Sequence, residues 1–304
     1  MRAPDELRAL VEQGLADLTP TASLDGLSEA MRYALAGGGK RIRPVLCLAT
    51  AEAAGGRAED ALPAAVALEL VHTFSLVHDD LPSMDDDDER RGRPSAHVAH
   101  GEGVALLAGD ALLAEGLRLA LAYDRPEPAR ELAEATLGMI GGQYLDVTAA
   151  RVDLAELHRL KTGRLFAAAV GLGLWAAAVP AGDQDPWRAF GEELGVLFQA
   201  VDDLIDGDGY ATELGEDGAR EVAAGAARRA HERLRLLTAL REPALHEHDV
   251  EPLPRHGYAV RAASPSTSSA STDVSASIAP RRSCARRAAA AATSRAPSSP
   301  TSVA

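Results

Sequence analysis

The chain has 304 residues, with 31 Lys+Arg against 45 Asp+Glu and a formal net charge of −14. This acidity disfavours a nucleic-acid binder, whose phosphate contacts need basic surface. Two cysteines, Cys47 and Cys284, cannot build a disulfide framework, which implies a reducing, cytoplasmic setting. Aromatic residues make up only 4% and β-branched runs are scarce, against an all-β fold. Residues 1–6 reach acid too early for a secretory signal. The longest apolar run, residues 165–179, has 15 residues, short of the ~20 that span a bilayer. No membrane span is expected.

In chain order, apolar residues at helical spacing predict helices over 5–18, 24–36, 45–54 and 61–79. Further helices are predicted over 103–122, 128–150, 153–179, 187–205 and 217–240. No alternating strand, βαβ rhythm or internal repeat interrupts them, so the expectation is one all-α bundle, close-packed through small residues. Helical periodicity stops near Pro252. Residues 263–304 are almost entirely Ser, Ala, Thr, Pro and Arg, too poor in apolar surface to offset chain entropy. The predicted division is therefore a folded domain over 1–250 and a low-complexity, disordered tail over 251–304, with room for a short Ala-rich helix at 286–292. From residue 261 the tail carries +5, leaving −19 for residues 1–260.

Five motifs stand out. The first is His78-Asp79-Asp80-Leu81-Pro82-Ser83-Met84-Asp85-Asp86-Asp87-Asp88-Glu89-Arg90-Arg91-Gly92, with six aspartates within positions 79–88, directly after an apolar helix. A bare Asp run also reads as a solvated acidic loop. Here hard oxygen ligands suited to Mg²⁺ or Ca²⁺ sit at the end of a core helix and are followed by an arginine pair, which suggests a metal and an anion together. The second is Phe198-Gln199-Ala200-Val201-Asp202-Asp203-Leu204-Ile205-Asp206, where Asp202 and Asp206 share a helix face at i, i+4. The third, Gly37-Gly38-Gly39-Lys40-Arg41-Ile42-Arg43-Pro44, puts three cations within four residues beside glycines, fit for a diphosphate. It is not a P-loop: Arg41, not Ser or Thr, comes after Lys40. Gly142-Gln143-Tyr144-Leu145-Asp146 and Lys161-Thr162-Gly163 complete the set. Lys40 and Lys161 are the chain's two lysines. No zinc or EF-hand ligand spacing and no Ser-His-Asp arrangement emerges.

In this order the motifs resemble the isoprenyl diphosphate synthases of the trans-polyprenyl synthetase family, over roughly residues 25–240. The resemblance implies an isoprenoid-synthase-type helical bundle around a deep central cavity, usually a homodimer. It implies condensation of isopentenyl diphosphate with an allylic diphosphate, with three Mg²⁺ ions per site. Carried over by position, Asp79 and Asp85 should hold two Mg²⁺, with Asp80 in support. Asp202 should hold the third, with Asp203 and Asp206 nearby through water. Arg90 and Lys161 should contact the allylic diphosphate. Lys40, Arg43, His72 and Arg91 should contact isopentenyl diphosphate, with Gln199 also lining the substrate site. Thr162 and Gln143 should lie by the reacting carbons. Asp79 and Asp85, six apart, converge only if the helix breaks, and Pro82 gives a cause.

Phe74, five residues before Asp79, is expected to form the cavity floor. With the two-residue insertion in the first motif it points to a C15 farnesyl product, with C20 geranylgeranyl diphosphate as the alternative. Phe74 also reads as simple core packing. Two departures matter. The family's lysine loop after the second motif is absent, since residues 207–210 run almost directly into Glu213. The C-terminus also lacks the family's basic end, as a frame shift or an unusual extension would leave it. Competing readings are a head-to-head synthase, a terpene cyclase, and an inactive or regulatory homologue.

Overall fold

The structure, a computed structural model, describes residues 1–148 and 153–244, without the side chains of 238–244. The expectations for the tail lie outside the described residues, as does the division at residue 250. Eleven helices occupy the described chain: α1 (Pro4–Ala16), α2 (Ser28–Leu35), α3 (Ile42–Ala53), α4 (Ala58–Asp79), α5 (Ala96–His100), α6 (Glu102–Ala120), α7 (Glu127–Thr148), α8 (Leu154–His158), α9 (Arg164–Ala176), α10 (Asp185–Asp206) and α11 (Gly209–Ala244). The bundle is all-α as expected, apart from a hairpin of two-residue strands, β1 (Glu89–Arg90) and β2 (Arg93–Pro94).

The predicted segments map closely onto these helices, with two informative splits. Segment 24–36 is a 3₁₀ turn, Ala22–Leu27, leading into α2. Segment 153–179 is α8, a π turn over Arg159–Gly163, and α9, in unbroken succession. The last helix begins earlier than expected, at Gly209, and bends at Gly215 (φ 75°, ψ 165°).

Helix α9 is central, with α3, α4, α7 and α10 packed around it. Its sequence is apolar on every side and buries Leu165, Phe166, Leu172 and Leu174 among smaller residues, as a helix without a solvent face must. Helix α4 buries five alanines (58, 61, 64, 65 and 67), whose small side chains let neighbours approach closely. It is long and apolar enough to cross a membrane, but 67% of its apolar window is buried inside the protein, as befits a core helix. A second, smaller core of Ala200, Tyr210, Ala219 and Ala223, with Leu154, Leu197 and Leu204, ties α8, α10 and α11 together.

Candidate active site

Two helices end in carboxylates. Each helix C-terminus already carries the negative end of the backbone dipole, so acid residues there are unfavourable unless cations compensate. At the tip of α4 the helix stops at Asp79, as the sequence required for Asp85 to return. The Asp85 N–H donates to the Asp79 carbonyl at 2.8 Å, and the Asp87 N–H to the Asp80 carbonyl at 3.2 Å. The insertion thus folds back over the helix end. Burial, opposed by Lys161 and reinforced by Asp85, pushes the Asp79 carboxyl up to about 6.

Asp80 is turned inward and is 2% exposed. Both its oxygens accept from Arg90 Nε at 2.7 Å, and Arg90 Nη2 closes the fork. Asp80 thus orients Arg90. Burial alone would lower the Arg90 guanidinium, but Asp80 outweighs it and holds the pKa above its ordinary value.

Arg90 ends the first strand of the hairpin whose turn, Arg91-Gly92, has φ of 55° and 75°, as a type I′ turn requires. That turn swings Arg91 back over the glycine loop, where its guanidinium donates to the Gly38 carbonyl. A side chain at Gly39 (φ 141°) would bring its Cβ within 2.8 Å of Arg91 Nη1, so the loop needs glycine there.

Of the three cations in the glycine loop, the structure sends one inward. Arg41 (φ 49°) is 5% exposed and hydrogen-bonds Glu69 (2.5 Å), Glu12 (2.9 Å) and the Leu35 carbonyl (2.8 Å). It clamps the loop to α1 and α4 and cannot join a diphosphate site. Lys40 is exposed. Arg43 lies over the paired rings of Phe166 and Phe198, 4.7 and 5.5 Å from their centroids, with Nη1 3.4 Å from His72 Nε2. Its Nε is buried with no hydrogen-bond partner. Burial lowers the Arg43 guanidinium to about 10 despite Glu69 and Asp202. A buried, under-partnered guanidinium beside His72 and Arg91 is an anion site by its chemistry.

The π turn over Arg159–Gly163 carries Lys161 and Thr162; single π turns inside helices recur at functional sites. Lys161 donates to Asp146 at 2.7 Å. Burial pulls its pKa down, but Asp146, Asp79 and Asp85 outweigh it and raise the net value. The amide of Gln143 is buried with neither its nitrogen nor its oxygen hydrogen-bonded. Thr162 donates to Gln199 Oε1 at 2.6 Å, and Gln199 Nε2 donates to Asp203 Oδ1 at 2.6 Å.

At the tip of α10, Asp202 and Asp206 are half-buried. Asp203 departs from the expectation of a metal-facing carboxylate. It is 2% exposed, and its Oδ2 accepts the Tyr210 N–H at 2.8 Å, with His158 Nε2 at 3.8 Å. Both its oxygens are committed within the protein. The chain then reverses through Gly207 (φ 73°) and Asp208 into α11.

Phe74 also departs from expectation. It lies roughly 140° from Asp79 around the helix, whereas Ser75 lies within roughly 40°. Its ring stacks edge-on against His78 at 4.9 Å, and His78 reaches the Leu106 carbonyl on α6 at 3.0 Å. Phe74 is therefore on the α6 side of α4, within the apolar core.

Sequence reading missed Glu69, Glu12, His158 and Tyr210, and gave Asp146 no role beyond its place in the motif over residues 142–146. Only Glu69 had a signal, its i, i+3 spacing from His72. Among the described residues no three Asp, Glu, His or Cys side chains close on one point. The donor set at the two tips is nonetheless all carboxylate oxygen, and Asp79 is half-buried with Asp85 and Asp80 acting on it. Both features suit a hard divalent cation such as Mg²⁺.

An all-α bundle with two acid-tipped helices, a cationic glycine loop and a lysine-bearing π turn defines an isoprenoid-synthase-type protein. The polyprenyl synthetase family model matches residues 25–225, and the chain belongs to that family. It is 42% identical to a heterodimeric geranylgeranyl pyrophosphate synthase large subunit of Arabidopsis thaliana, over 71% of this chain and 63% of that protein. It thus spans less than two thirds of that relative. To the farnesyl diphosphate synthase of Bacillus subtilis it is 40% identical, over 63% of this chain and 70% of that protein. Among solved structures it is similar to a geranyltranstransferase from Thermotoga maritima, with TM-score 0.67, 31% identity, and coverage of 80% of this chain and 99% of that one.

Proposed function

We propose that this chain is a Mg²⁺-dependent head-to-tail prenyltransferase that condenses isopentenyl diphosphate with an allylic diphosphate. The observation that carries the reading is the pairing of two charge environments: the under-partnered Arg43 beside His72 and Arg91, with Asp202 of the α10 tip acting on it, and the α4-tip carboxylates Asp79 and Asp85 facing Lys161. The first suits a diphosphate that stays attached, the second one that leaves. A cyclase would have no use for the first. Asp79, Asp85 and Asp202, with Asp206 in reserve, would hold Mg²⁺, which when bound neutralises the departing diphosphate. Lys161 and Arg90 hold that diphosphate as the C–O bond breaks and its electron pair leaves with it. Arg43, His72, Arg91 and Lys40 fix the isopentenyl diphosphate so that its double bond meets the allylic carbon. Gln143 and Thr162 turn oxygen dipoles toward the transient cation, and the departed diphosphate takes the proton lost as the new double bond forms.

The proposed product is C15, supported by the two-residue insertion in the first motif. Relatives named as geranylgeranyl synthases favour C20 as a second reading. Incubating the purified protein with Mg²⁺, labelled isopentenyl diphosphate and each allylic primer in turn tests both. A C20 product replaces the first reading by the second, and no product with any primer defeats the enzyme reading.

We further propose a homodimer. Leu137, Ile140, Tyr144 and Val147 are exposed at i, i+3, i+7 and i+10 on α7, beside exposed Val104 and Leu107 on α6. Such an apolar stripe marks an interface. A monomer by light scattering at micromolar concentration would overturn it.

A further inference from the structure

The hydrogen bonds among Thr162, Gln199 and Asp203 have a direction, and Asp203 sets it. A carboxylate accepts and has no hydrogen to give. Gln199 must therefore turn its Nε2 toward Asp203, at 2.6 Å. The amide's other end, Oε1, is then the atom that meets Thr162 Oγ1 at 2.6 Å. An amide oxygen cannot donate, so the Thr162 hydroxyl proton is committed to it. What remains on Oγ1 is lone pairs alone. The far end of the chain is fixed by backbone, through the Tyr210 N–H on Asp203 Oδ2 at 2.8 Å. Polar chains in a low-dielectric interior also polarise one another in the same sense.

We infer that Asp203 is a positioning residue for the transient allylic cation: through Gln199 it locks the Thr162 hydroxyl so that only its oxygen lone pairs are offered to the substrate. A free hydroxyl would turn its hydrogen or its lone pairs to suit whatever lay nearest, and the reorientation would come at the moment charge develops. A hydroxyl already turned supplies its dipole without that rearrangement, the condition under which electrostatic stabilisation is most effective. The inference rests on the prenyl-transfer reading above and gives Asp203 a task other than metal binding.

The test is a double-mutant cycle on Thr162→Val and Asp203→Asn, each variant first checked for a native circular dichroism spectrum and a cooperative melt. An asparagine can donate to Gln199, which permits the amide to flip and the chain to reverse. Each single variant is expected to lower kcat about 100-fold, the lower end of the range for loss of one oriented dipole, with both substrate KM values within threefold of wild type. Asp203→Asn on the Thr162→Val background should cost less than a further threefold, because the chain no longer ends in a hydroxyl. Half-saturating Mg²⁺ should stay within twofold. Calorimetry supplies a readout apart from turnover. Wild type, with diphosphate and Mg²⁺, should prefer an ammonium analogue of the allylic cation over its neutral carbon isostere, and Asp203→Asn should lose most of that preference. Equal losses on both backgrounds, or a tenfold rise in half-saturating Mg²⁺, would overturn the inference. If Asp203→Asn does not fold, Gln199→Leu breaks the same chain while leaving the Tyr210 contact, and the same outcomes apply. Wild type inactive with every primer would defeat the functional reading itself, whereas an active wild type with additive losses defeats only this inference.

Discussion

At the tip of α4 the paired acids are Asp79 and Asp80; at the tip of α10 they are Asp202 and Asp203. In each pair the second aspartate is 2% exposed and bonded into the protein, while the first is half-buried. Successive helical residues are about 100° apart, so a double aspartate cannot turn both carboxylates the same way. The two tips differ in what the inward aspartate holds. Asp80 grips a charged partner, Arg90, the side chain proposed to hold the departing diphosphate. Asp203 grips a neutral amide and a backbone N–H, so it gives direction rather than net charge. The chain beyond each tip differs too. The first tip gains Asp85 from an insertion folded back on the helix end, and the second reverses within two residues.

The largest effect should separate the outward members from the inward ones. Asp79→Asn and Asp202→Asn should each lower kcat/KM by ~10³-fold, since a bound divalent ion is worth several kcal/mol at ~1.4 kcal/mol per decade. Both should raise half-saturating Mg²⁺. Asp80→Asn and Asp203→Asn should lose less and leave the Mg²⁺ dependence alone. Equal losses and equal Mg²⁺ shifts in all four would break the comparison.

Stability should rank the inward members the other way. Asp80→Ala strands the Arg90 guanidinium against a buried wall, a loss of ~3 kcal/mol for a broken buried pair. At about 2–4 °C per kcal/mol, the metal-free melting temperature should fall by roughly 6–12 °C. Asp203→Ala leaves only a neutral amide and one N–H unpaired, and should cost about 1–3 kcal/mol. A melt in which Asp203→Ala is the more damaging would show that the charge of the partner is not what matters.

Much of this was legible beforehand. Helix spans, both acidic clusters and the cationic loop can be read from periodicity and composition, because those features are local. What was not legible depends on which way a side chain turns. Lys40, Arg41 and Arg43 are equivalent cations in sequence, yet Arg41 adopts a left-handed backbone and pairs with Glu69 and Glu12, from helices 28 and 29 positions away in the chain. Lys161-Thr162-Gly163 stands out in sequence as a motif, but the π turn that carries it at Arg159–Gly163 has no local signature: its backbone reads as ordinary helix, packed between α7 and α10. Phe74 was assigned by its distance along α4, while its angular position, which sends it to His78 and α6, decides its surroundings.

A pH comparison tests the outward member of the first tip more gently. With the Asp79 carboxyl raised from 3.8 to about 6, the folded chain binds that proton more tightly than the unfolded chain. Stability from this group is therefore greatest below about pH 4, and is lost as pH rises toward 6. Asp79→Asn removes this dependence. In the absence of Mg²⁺ the variant's melting temperature should gain on wild type as pH is raised from 4 to 7. A difference that stays flat over that range would mean that burial does not raise the Asp79 carboxyl.

The smallest effect concerns the turn behind Asp203. Gly209 has φ 47°, and a Cβ there would lie 2.3 Å from Asp203 Oδ2, closer than any real contact. The carboxylate cannot yield freely, because Gln199 and the Tyr210 N–H hold it from two directions. Gly209→Ala must therefore push on α11, on Asp203, or on both, at a cost of about 1–3 kcal/mol for a strained position. Combining it with Asp203→Ala, which clears the obstructing oxygens, should cost less than the sum of the two changes. Strictly additive losses would place the strain in the backbone alone. A shared loss would show that the short turn after the second tip is shaped around the carboxylate it encloses.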